Sequence, residues 1–334
     1  MTSKPLPMRD ALLDSIHAAM KQDGKIFFLS ADFGSPILDR IRQDFPDRFV
    51  NVGIAEQNLI NVSAGLALEG FTVFAYAIAP FITMRCYEQI RVSLALMSRV
   101  RPINVNLIGV GAGYSYVVSG PTHQCYEDIT LMRAMPNFQV LSPADHVTAA
   151  ALCARCTGRG GPKYLRLDAQ VLPVVYTGGT PDLNPGFNIV RPGEDICLIA
   201  TGYMLHTALG VAEALAQLGL EPGVIDIFDL SGFDATRLAT ELSRYRGIIS
   251  MEEGFHGRGG LDSMLFEFIS RRRLPVSMLN VGVEGSYRFE LGTRQQLHEK
   301  VGIGPEAVKQ KALAFIQSLS NTRMDRHDEI SSDA

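Results

Sequence analysis

The sequence predicts an α/β protein made of two three-layer domains, each built on a parallel or mixed sheet. Short apolar runs alternate along the chain with longer segments of helical periodicity, a pattern typical of parallel strands covered by helices on both faces. The alternation stops once, in a stretch rich in proline and glycine, and then restarts. The length of 334 residues suits two domains of about 100–200 residues each.

The first half of the chain contains four apolar runs that we predict to be strands, at 25–30, 71–78, 103–110 and 163–167. Between them, 55–69 and 81–98 are long enough and periodic enough to be helices. A further helix is predicted to begin at the Pro143-Ala144-Asp145 segment, which leads into an alanine-rich stretch. These elements make up the first predicted domain, residues 1–175.

Residues 171–190 hold three prolines and three glycines, so we predict a linker at 176–190. Beyond it, strands are predicted at 195–200, 223–228, 247–250 and 276–281, and helices at 203–218, 234–243, 261–271 and 305–319. The second predicted domain is therefore 191–320. The polar residues 321–334 are predicted to form a disordered tail.

Composition excludes several classes of protein. The net charge of −4 leaves no basic excess to neutralise phosphates, so nucleic acid is not an expected partner. No apolar run approaches the ~20 residues that span a bilayer, and residues 1–10 lack a hydrophobic signal core. Five cysteines, an odd number, do not suggest a secreted disulfide framework. We expect a cytoplasmic protein with reduced thiols and no membrane partner.

Four segments, taken in their order and spacing, resemble the transketolase family. They are 51–58 (NVGIAEQN), 81–91 (FITMRCYEQIR), 120–124 (GPTHQ) and 135–145, which contains MPN and SPAD. The resemblance covers nearly the whole chain and matches the C-terminal half of a transketolase: the pyrimidine-binding domain followed by the C-terminal domain. The segment 111–116 (GAGYSY) is most similar to stand-alone C-terminal subunits of split transketolases.

The resemblance implies thiamine diphosphate as cofactor, together with Mg²⁺. In the family, a Gly-Asp-Gly motif in the N-terminal half holds the metal and the pyrophosphate. This chain contains no Gly-Asp-Gly segment, so no metal ligand is expected on it. We expect a partner N-terminal subunit to carry the Mg²⁺ and pyrophosphate site, in an α2β2 heterotetramer.

Glu56 and Phe81 are the residues expected to contact the cofactor. The resemblance places Glu56 where the family has the carboxylate that hydrogen-bonds pyrimidine N1′ and drives the cofactor's 4′-amino group into its basic tautomer, a bond that is strengthened in a dry site. Phe81 is expected to stack on the pyrimidine, with Tyr87 as the alternative. From the sequence alone, the preferred interpretation of Glu56 is a first-turn acid that favours the helix dipole, and the alternative for Phe81 is an ordinary core residue at a helix start.

His123 and Arg166 are the residues expected to contact the substrate. The histidine of the GPTH motif corresponds to His123, and a side chain that titrates near neutrality suits the movement of hydroxyl protons. The resemblance assigns Arg166 to the substrate phosphate, and a guanidinium fork fits phosphate, sulfonate and carboxylate alike. A surface arginine paired with Asp168 is the structural alternative.

The chain departs from the family pattern at two positions beside this motif. Ser119 stands where sugar-phosphate transketolases have an aspartate, and Gly111 stands where they have a histidine. Lost polar partners change which hydroxyl pattern a site accepts. We therefore expect a ketose phosphate or a modified sugar as donor and an aldehyde acceptor, with Tyr114 and the following Ser115 and Tyr116 lining the altered pocket.

Three alternatives remain open at this point. The chain resembles, less closely, the β subunit of 2-oxo acid dehydrogenases, which decarboxylate, and it shares elements with deoxyxylulose-phosphate synthases. A non-catalytic scaffold derived from such an enzyme is the third. The Cys153-x-x-Cys156 spacing lies in a predicted alanine-rich helix without a second pair, and we interpret it as two small core residues.

Overall fold

The computed structural model describes residues 4–332, with side chains over 4–320. It contains one sheet in each half of the chain, and apolar clusters lie on both faces of each sheet. The predicted fold class, α/β with two domains on parallel or mixed sheets, is confirmed: the first sheet is parallel and the second is mixed. Within the described residues, no helix is both long and apolar enough to cross a membrane.

The first sheet has six strands, all parallel, in the order β2-β1-β3-β4-β6-β5. The strands are β1 (Ile26–Ser30), β2 (Phe49–Asn51), β3 (Thr72–Ile78), β4 (Asn104–Val110), β5 (Gln139–Leu141) and β6 (Lys163–Leu167). The helices are α1 (Met8–Gln22), α2 (Pro36–Asp44), α3 (Glu56–Leu68), α4 (Tyr87–Gln89), α5 (Asp128–Arg133) and α6 (His146–Gly158). Helices α1, α2 and α6 cover one face, and α3, α5 and the segment 81–99 cover the other.

The second sheet has the order β11-β10-β8-β9-β7, in which only β7 runs antiparallel to its neighbour. The strands are β7 (Phe187–Arg191), β8 (Ile196–Ala200), β9 (Gly223–Ile227), β10 (Gly247–Phe255) and β11 (Ser277–Val283). The helices are α7 (Met204–Ala216), α8 (Ala235–Leu242), α9 (Leu261–Arg272), α10 (Arg294–Lys300) and α11 (Pro305–Ser332).

The eight strands predicted from apolar runs are all present, as β1, β3, β4, β6 and β8 to β11. Strands β2 and β5 were not predicted, because three residues are too few to show a pattern. Strand β7 begins inside the predicted linker, so the linker ends earlier than 190. As an edge strand, β7 buries only its first residue well, and it therefore lacks the apolar run that identifies central strands.

The end of the chain also differs from the expectation. Helix α11 continues to Ser332 instead of ending near 319, so residues 321–332 are helical where a disordered tail was predicted. After Pro305 the segment contains neither glycine nor a second proline, so it lacks the residues that most often end a helix. The last two predicted tail residues, 333–334, lie outside the described part of the chain.

The two domains pack on each other through a shared core. One apolar cluster contains buried residues of both sheets, and a β-bridge joins Leu141 to Asp229 across the boundary. The linker is held at Tyr176, whose hydroxyl donates to Asp226 over 2.6 Å and whose backbone N–H donates to Asp145. These contacts hold the second domain against the carboxyl side of the first sheet.

A buried ionic network, made of Asp168, Glu253, Arg294 and His298, also joins the domains. Arg294 donates to Glu253 Oε1 over 2.8 Å and to Asp168 Oδ2 over 2.6 Å, and its guanidinium lies 3.5 Å from the ring centre of Tyr203. His298 Nε2 lies 2.6 Å from Glu253 Oε1. Burial raises the pKa of Glu253, but the charge of Arg294 and the bond from His298 outweigh it and lower that pKa below its ordinary value.

Candidate active site

Loops from neighbouring strands meet at the carboxyl edge of the first sheet. Strand β1 lies between β2 and β3, so the chain changes its direction of winding at β1. Ligands of open α/β sheets bind outside the carboxyl ends of strands at such a point. The segments 51–58, 81–91 and 120–124, singled out by the sequence, all follow the ends of strands at this edge.

Glu56 is the first residue of α3, immediately after the turn that leaves β2. Asn51 holds that turn, because its side-chain oxygen accepts from the N–H groups of Asp32 and Gly53. The Glu56 side chain is 3% exposed, and its Oε2 accepts from Arg85 Nη1 over 2.7 Å. Glu56 is therefore a buried carboxylate at the carboxyl edge of the sheet, and it is paired with the guanidinium of Arg85.

Phe81 begins a π-helical turn, Phe81–Arg85, at the end of β3. This turn, α4 and a second π-helical stretch, Ile90–Leu96, replace the single regular helix predicted for 81–98. The wider turn places Arg85 over the Phe81 ring, with the guanidinium carbon 4.6 Å from the ring centre. π-Helical turns are rare and occur often at functional sites. This π-helical turn begins at Phe81, the residue predicted to contact the cofactor.

His123 also contacts Phe81. The two rings are 5.3 Å apart in an edge-to-face arrangement, and Tyr116 lies 6.3 Å from the same histidine. Thr122 Oγ1 is 3.0 Å from His123 Nδ1. The structure thus links Glu56, Phe81 and His123 in one row of contacts in which Arg85 joins Glu56 to Phe81, although they come from three separate loops.

Gly111 has a backbone conformation and surroundings that do not suit a larger residue. Its φ is 109°, a conformation that side chains other than glycine's rarely adopt. A Cβ atom at this position would also collide with the ring of Tyr116. Tyr116 therefore takes the space beside residue 111, and burial raises the pKa of its hydroxyl above the ordinary value, which keeps it a hydrogen-bond donor.

The remaining predicted residues lie differently. Tyr87 points away from this row, since its hydroxyl donates to the carbonyl of Leu131 over 3.1 Å. Tyr114 is fully buried and packs against Tyr126 and His298. Ser119 is exposed, next to the glycine that opens the GPTH turn. Of the three, Ser119 is exposed, Tyr87 is half-buried in a cavity that Arg91 and Asn137 also line, and Tyr114 has no exposed surface for a sugar to contact.

Arg166 is also placed inside the protein. It is 2% exposed, and its Nε donates to Asp128 Oδ2 over 2.8 Å. The same carboxylate oxygen accepts from Tyr164. Burial acts to lower the pKa of Arg166, but the charge of Asp128 outweighs it and the pKa is raised. This geometry favours a structural ion pair over contact with a substrate anion.

Sequence reasoning missed Arg85, which contacts both Glu56 and Phe81. In the sequence, Arg85 is the single charged residue of the turn 81–85. Such a pattern is too common to indicate a functional site. Cys86, next along the chain, is buried and donates to the carbonyl of Ile82. Burial raises the pKa of its thiol to about 12, with a further contribution from the charge of Glu56, so this thiol stays neutral.

Two protein-family models match the chain, one in each of its two domains. The family model of the transketolase pyrimidine-binding domain matches residues 4–174, and that of the transketolase C-terminal domain matches 186–308. The chain belongs to the transketolase family. Among the described residues there is no group of three or more side chains that could hold a metal ion.

Two relatives of this transketolase-family chain are single subunits. A subunit of the apulose-4-phosphate transketolase of Actinobacillus succinogenes is 30% identical over 274 residues, which is 82% of this chain and 86% of that one. A 6-deoxy-6-sulfo-D-fructose transketolase subunit of a Clostridium species is 28% identical, over 91% and 93% of the two chains. A 1-deoxy-D-xylulose-5-phosphate synthase of Synechococcus is 31% identical, but only 44% of that enzyme is matched.

A solved structure described as a split-gene transketolase in an inactive β4 tetramer has a TM-score of 0.82. It is 31% identical and covers 94% of this chain and 98% of its own. A transketolase from Pichia stipitis has a TM-score of 0.78 at 17% identity and is matched over 47% of its length, which supports the fold alone. The prediction that the chain corresponds to the C-terminal subunit of a split transketolase is confirmed, and the synthase alternative is less favoured.

Proposed function

We propose that this chain is the C-terminal subunit of a two-component, thiamine diphosphate-dependent transketolase. It works with an N-terminal subunit to transfer a two-carbon ketol unit from a ketose to an aldehyde. The row of contacts from Glu56 through Arg85 and Phe81 to His123 supports this proposal. These are the residues for which the resemblance implied roles in cofactor activation, ring stacking and proton transfer.

The residues present suit the pyrimidine half of the cofactor. Arg85 already lies between the Glu56 carboxylate and the Phe81 ring face, so the space between them accepts a flat group with N–H donors. Glu56 would accept a hydrogen bond from the pyrimidine ring, and Phe81 would stack on it. When bound, the cofactor supplies a carbon nucleophile, while the chain orients the ring and keeps water from Glu56.

His123 is proposed to move protons of substrate hydroxyls. Thr122 lies against its Nδ1, which leaves Nε2 to exchange a proton with a substrate oxygen. Imidazole suits this step because it titrates near neutral pH. The Tyr116 hydroxyl and the exposed Ser119 are proposed to contact the sugar where other transketolases use histidine and aspartate. Tyr114 is not included in the proposed pocket, because it is fully buried.

The substrate is proposed to be a ketose phosphate or a modified sugar, with an aldehyde as acceptor. The relatives named for apulose 4-phosphate and for 6-deoxy-6-sulfo-D-fructose support a sugar that carries an anionic group. Because Arg166 is buried against Asp128, we propose that another group, on this chain or the partner, binds that anion.

The partner chain is proposed to hold Mg²⁺ and the pyrophosphate, in an α2β2 assembly in the cytoplasm. Two relatives are named as one subunit of a transketolase, and the structure matched over nearly its whole length is named for a split gene. These names support a site divided between two chains. Each catalytic centre would then lie at a contact between the two kinds of subunit.

Isothermal titration of thiamine diphosphate with Mg²⁺ tests the proposal. We expect tight binding by the pair of subunits and none by this chain alone. Glu56→Gln in the pair should lower turnover by at least ~100-fold, within the range of one positioned proton-transfer or oxyanion contact. Glu69→Gln, an exposed glutamate at the other end of α3, is the matched control. Unchanged turnover of the Glu56 variant would exclude Glu56 as activator.

A further inference from the structure

Arg85 makes, in this chain, both contacts that the proposed site offers to the cofactor ring. Its Nη1 is 2.7 Å from Glu56 Oε2, and its guanidinium carbon is 4.6 Å from the centre of the Phe81 ring. A guanidinium is flat, carries N–H donors and stacks on aromatic faces. It therefore satisfies the same carboxylate and the same kind of ring contact as an aminopyrimidine.

The pair is asymmetric in a way that permits exchange. Glu56 is 3% exposed, whereas the side chain of Arg85 is 45% exposed. The backbone of Arg85 is held, because Gln57 Nε2 donates to its carbonyl over 3.3 Å. The guanidinium can thus turn toward solvent around a fixed backbone, while the carboxylate stays where it is.

We propose that Arg85 is a displaceable placeholder that occupies the pyrimidine half-site until the cofactor replaces it. This inference rests on the proposed function. A buried carboxylate without a counter-charge is strongly destabilising, and a subunit that is made separately from its partner must hold Glu56 in place before the cofactor arrives. Arg85 does so, but it also competes with the cofactor, since apparent affinity falls with the fraction of sites that are open.

The proposal makes a directional prediction about cofactor affinity in the assembled pair. Arg85→Met removes the competitor, so thiamine diphosphate with Mg²⁺ should bind about 1.5- to 5-fold more tightly, the range expected for loss of a half-exposed ion pair. The gain should appear in the association rate. Arg85→Lys keeps the charge but loses the flat stacking face, and should lie between the two. Arg91→Met is the control, because Arg91 pairs with Glu88 on the same segment.

A second measurement uses this chain alone and a fragment of the cofactor. Saturation-transfer NMR with 4-amino-2-methylpyrimidine should detect binding to the Arg85→Met chain and weaker binding to the wild type. Arg85→Gln, which keeps a hydrogen-bond donor for Glu56, replaces the methionine variant if thermal unfolding shows that the latter is not folded.

The outcomes separate this inference from the proposed function. If Glu56→Gln and Phe81→Ala leave thiamine diphosphate affinity unchanged in the pair, the proposed function fails. If those variants weaken binding and Arg85→Met also weakens it or leaves it unchanged, the proposed function stands and the placeholder role is overturned. Arg85 would then be a permanent partner of Glu56.

Discussion

Replacing Arg294 with methionine tests how the two domains are held together. Arg294 is buried, and it bonds to Glu253 in its own domain and to Asp168 at the end of β6 in the other. Methionine fills similar space and removes the charge. Two buried carboxylates then lose their shared counter-charge.

The magnitude follows from what each carboxylate keeps. Removing one partner of a buried ion pair costs about 3–5 kcal/mol. Glu253 retains His298, and Asp168 retains the N–H of Gln170, so neither is left bare. We therefore expect Arg294→Met to lower the free energy of unfolding by about 3 kcal/mol at pH 8, the lower end of that range.

The loss should depend on pH in a defined direction. Burial already raises the pKa of Asp168, and the charge of Arg294 opposes that rise. Without Arg294 the pKa rises further, and a carboxyl with a raised folded-state pKa stabilises the fold below its unfolded pKa and loses that contribution as pH increases. The variant should therefore be closer to wild type at pH 5 than at pH 8.

Urea unfolding at pH 5 and pH 8 measures both quantities. Arg244→Met is the matched control, since Arg244 is exposed and pairs with Glu241 on the same helix turn, and it should change stability by less than ~0.5 kcal/mol. A loss below ~1 kcal/mol for Arg294→Met, or an equal loss at both pH values, would refute the argument that Arg294 compensates buried charge.

Three further changes give distinct results. Gly111→Ala should lower the free energy of unfolding by about 1–2 kcal/mol and, by displacing Tyr116, change substrate preference in kcat/KM. Gly65→Ala, with open space around it, should do neither. Burial raises the pKa of Asp226 from 3.8 to about 7, so its stabilising contribution is lost as pH rises through 7. Asp226→Asn should therefore have the same free energy of unfolding as wild type near pH 4 and a higher one at pH 8, by up to about 4 kcal/mol in urea unfolding. A free energy of unfolding at pH 8 below that of wild type would contradict this. Arg166→Met should lower stability by about 3–5 kcal/mol through its buried aspartate partner with KM little changed, whereas a raised KM at unchanged stability would return Arg166 to substrate binding.

The sequence predicted the central strands well because strands buried on both faces require continuous apolar runs. It also singled out Glu56, Phe81 and His123 as candidate site residues, and the structure brings these three residues together. Their proximity was not visible in the chain itself. It arises because the three loops leave β2, β3 and β4 at the same edge, and strand order depends on contacts between distant residues.

Burial of individual polar side chains could not be predicted. Arg166 was expected at a strand end facing a substrate, but β6 is covered on both faces and Asp128 from α5 meets it there. Tyr114 lies four residues after β4 ends, in a loop that turns back into the second domain. In both cases the side chain is buried by a residue far away in the sequence, Asp128 for Arg166 and His298 for Tyr114. A local sequence pattern cannot predict such a contact.

The π-helical turn at Phe81–Arg85 has a consequence for reading relatives of this protein by alignment. A π-turn holds one residue more than an α-turn, so a relative with a regular helix here has one residue fewer between the end of its strand and the position of Tyr87. Any ungapped alignment must then slip by one residue on one side of the turn. Residues matched by such a sequence alignment would point in different directions. Equivalent residues near Phe81 are therefore better assigned by superposing the structures than by aligning the sequences.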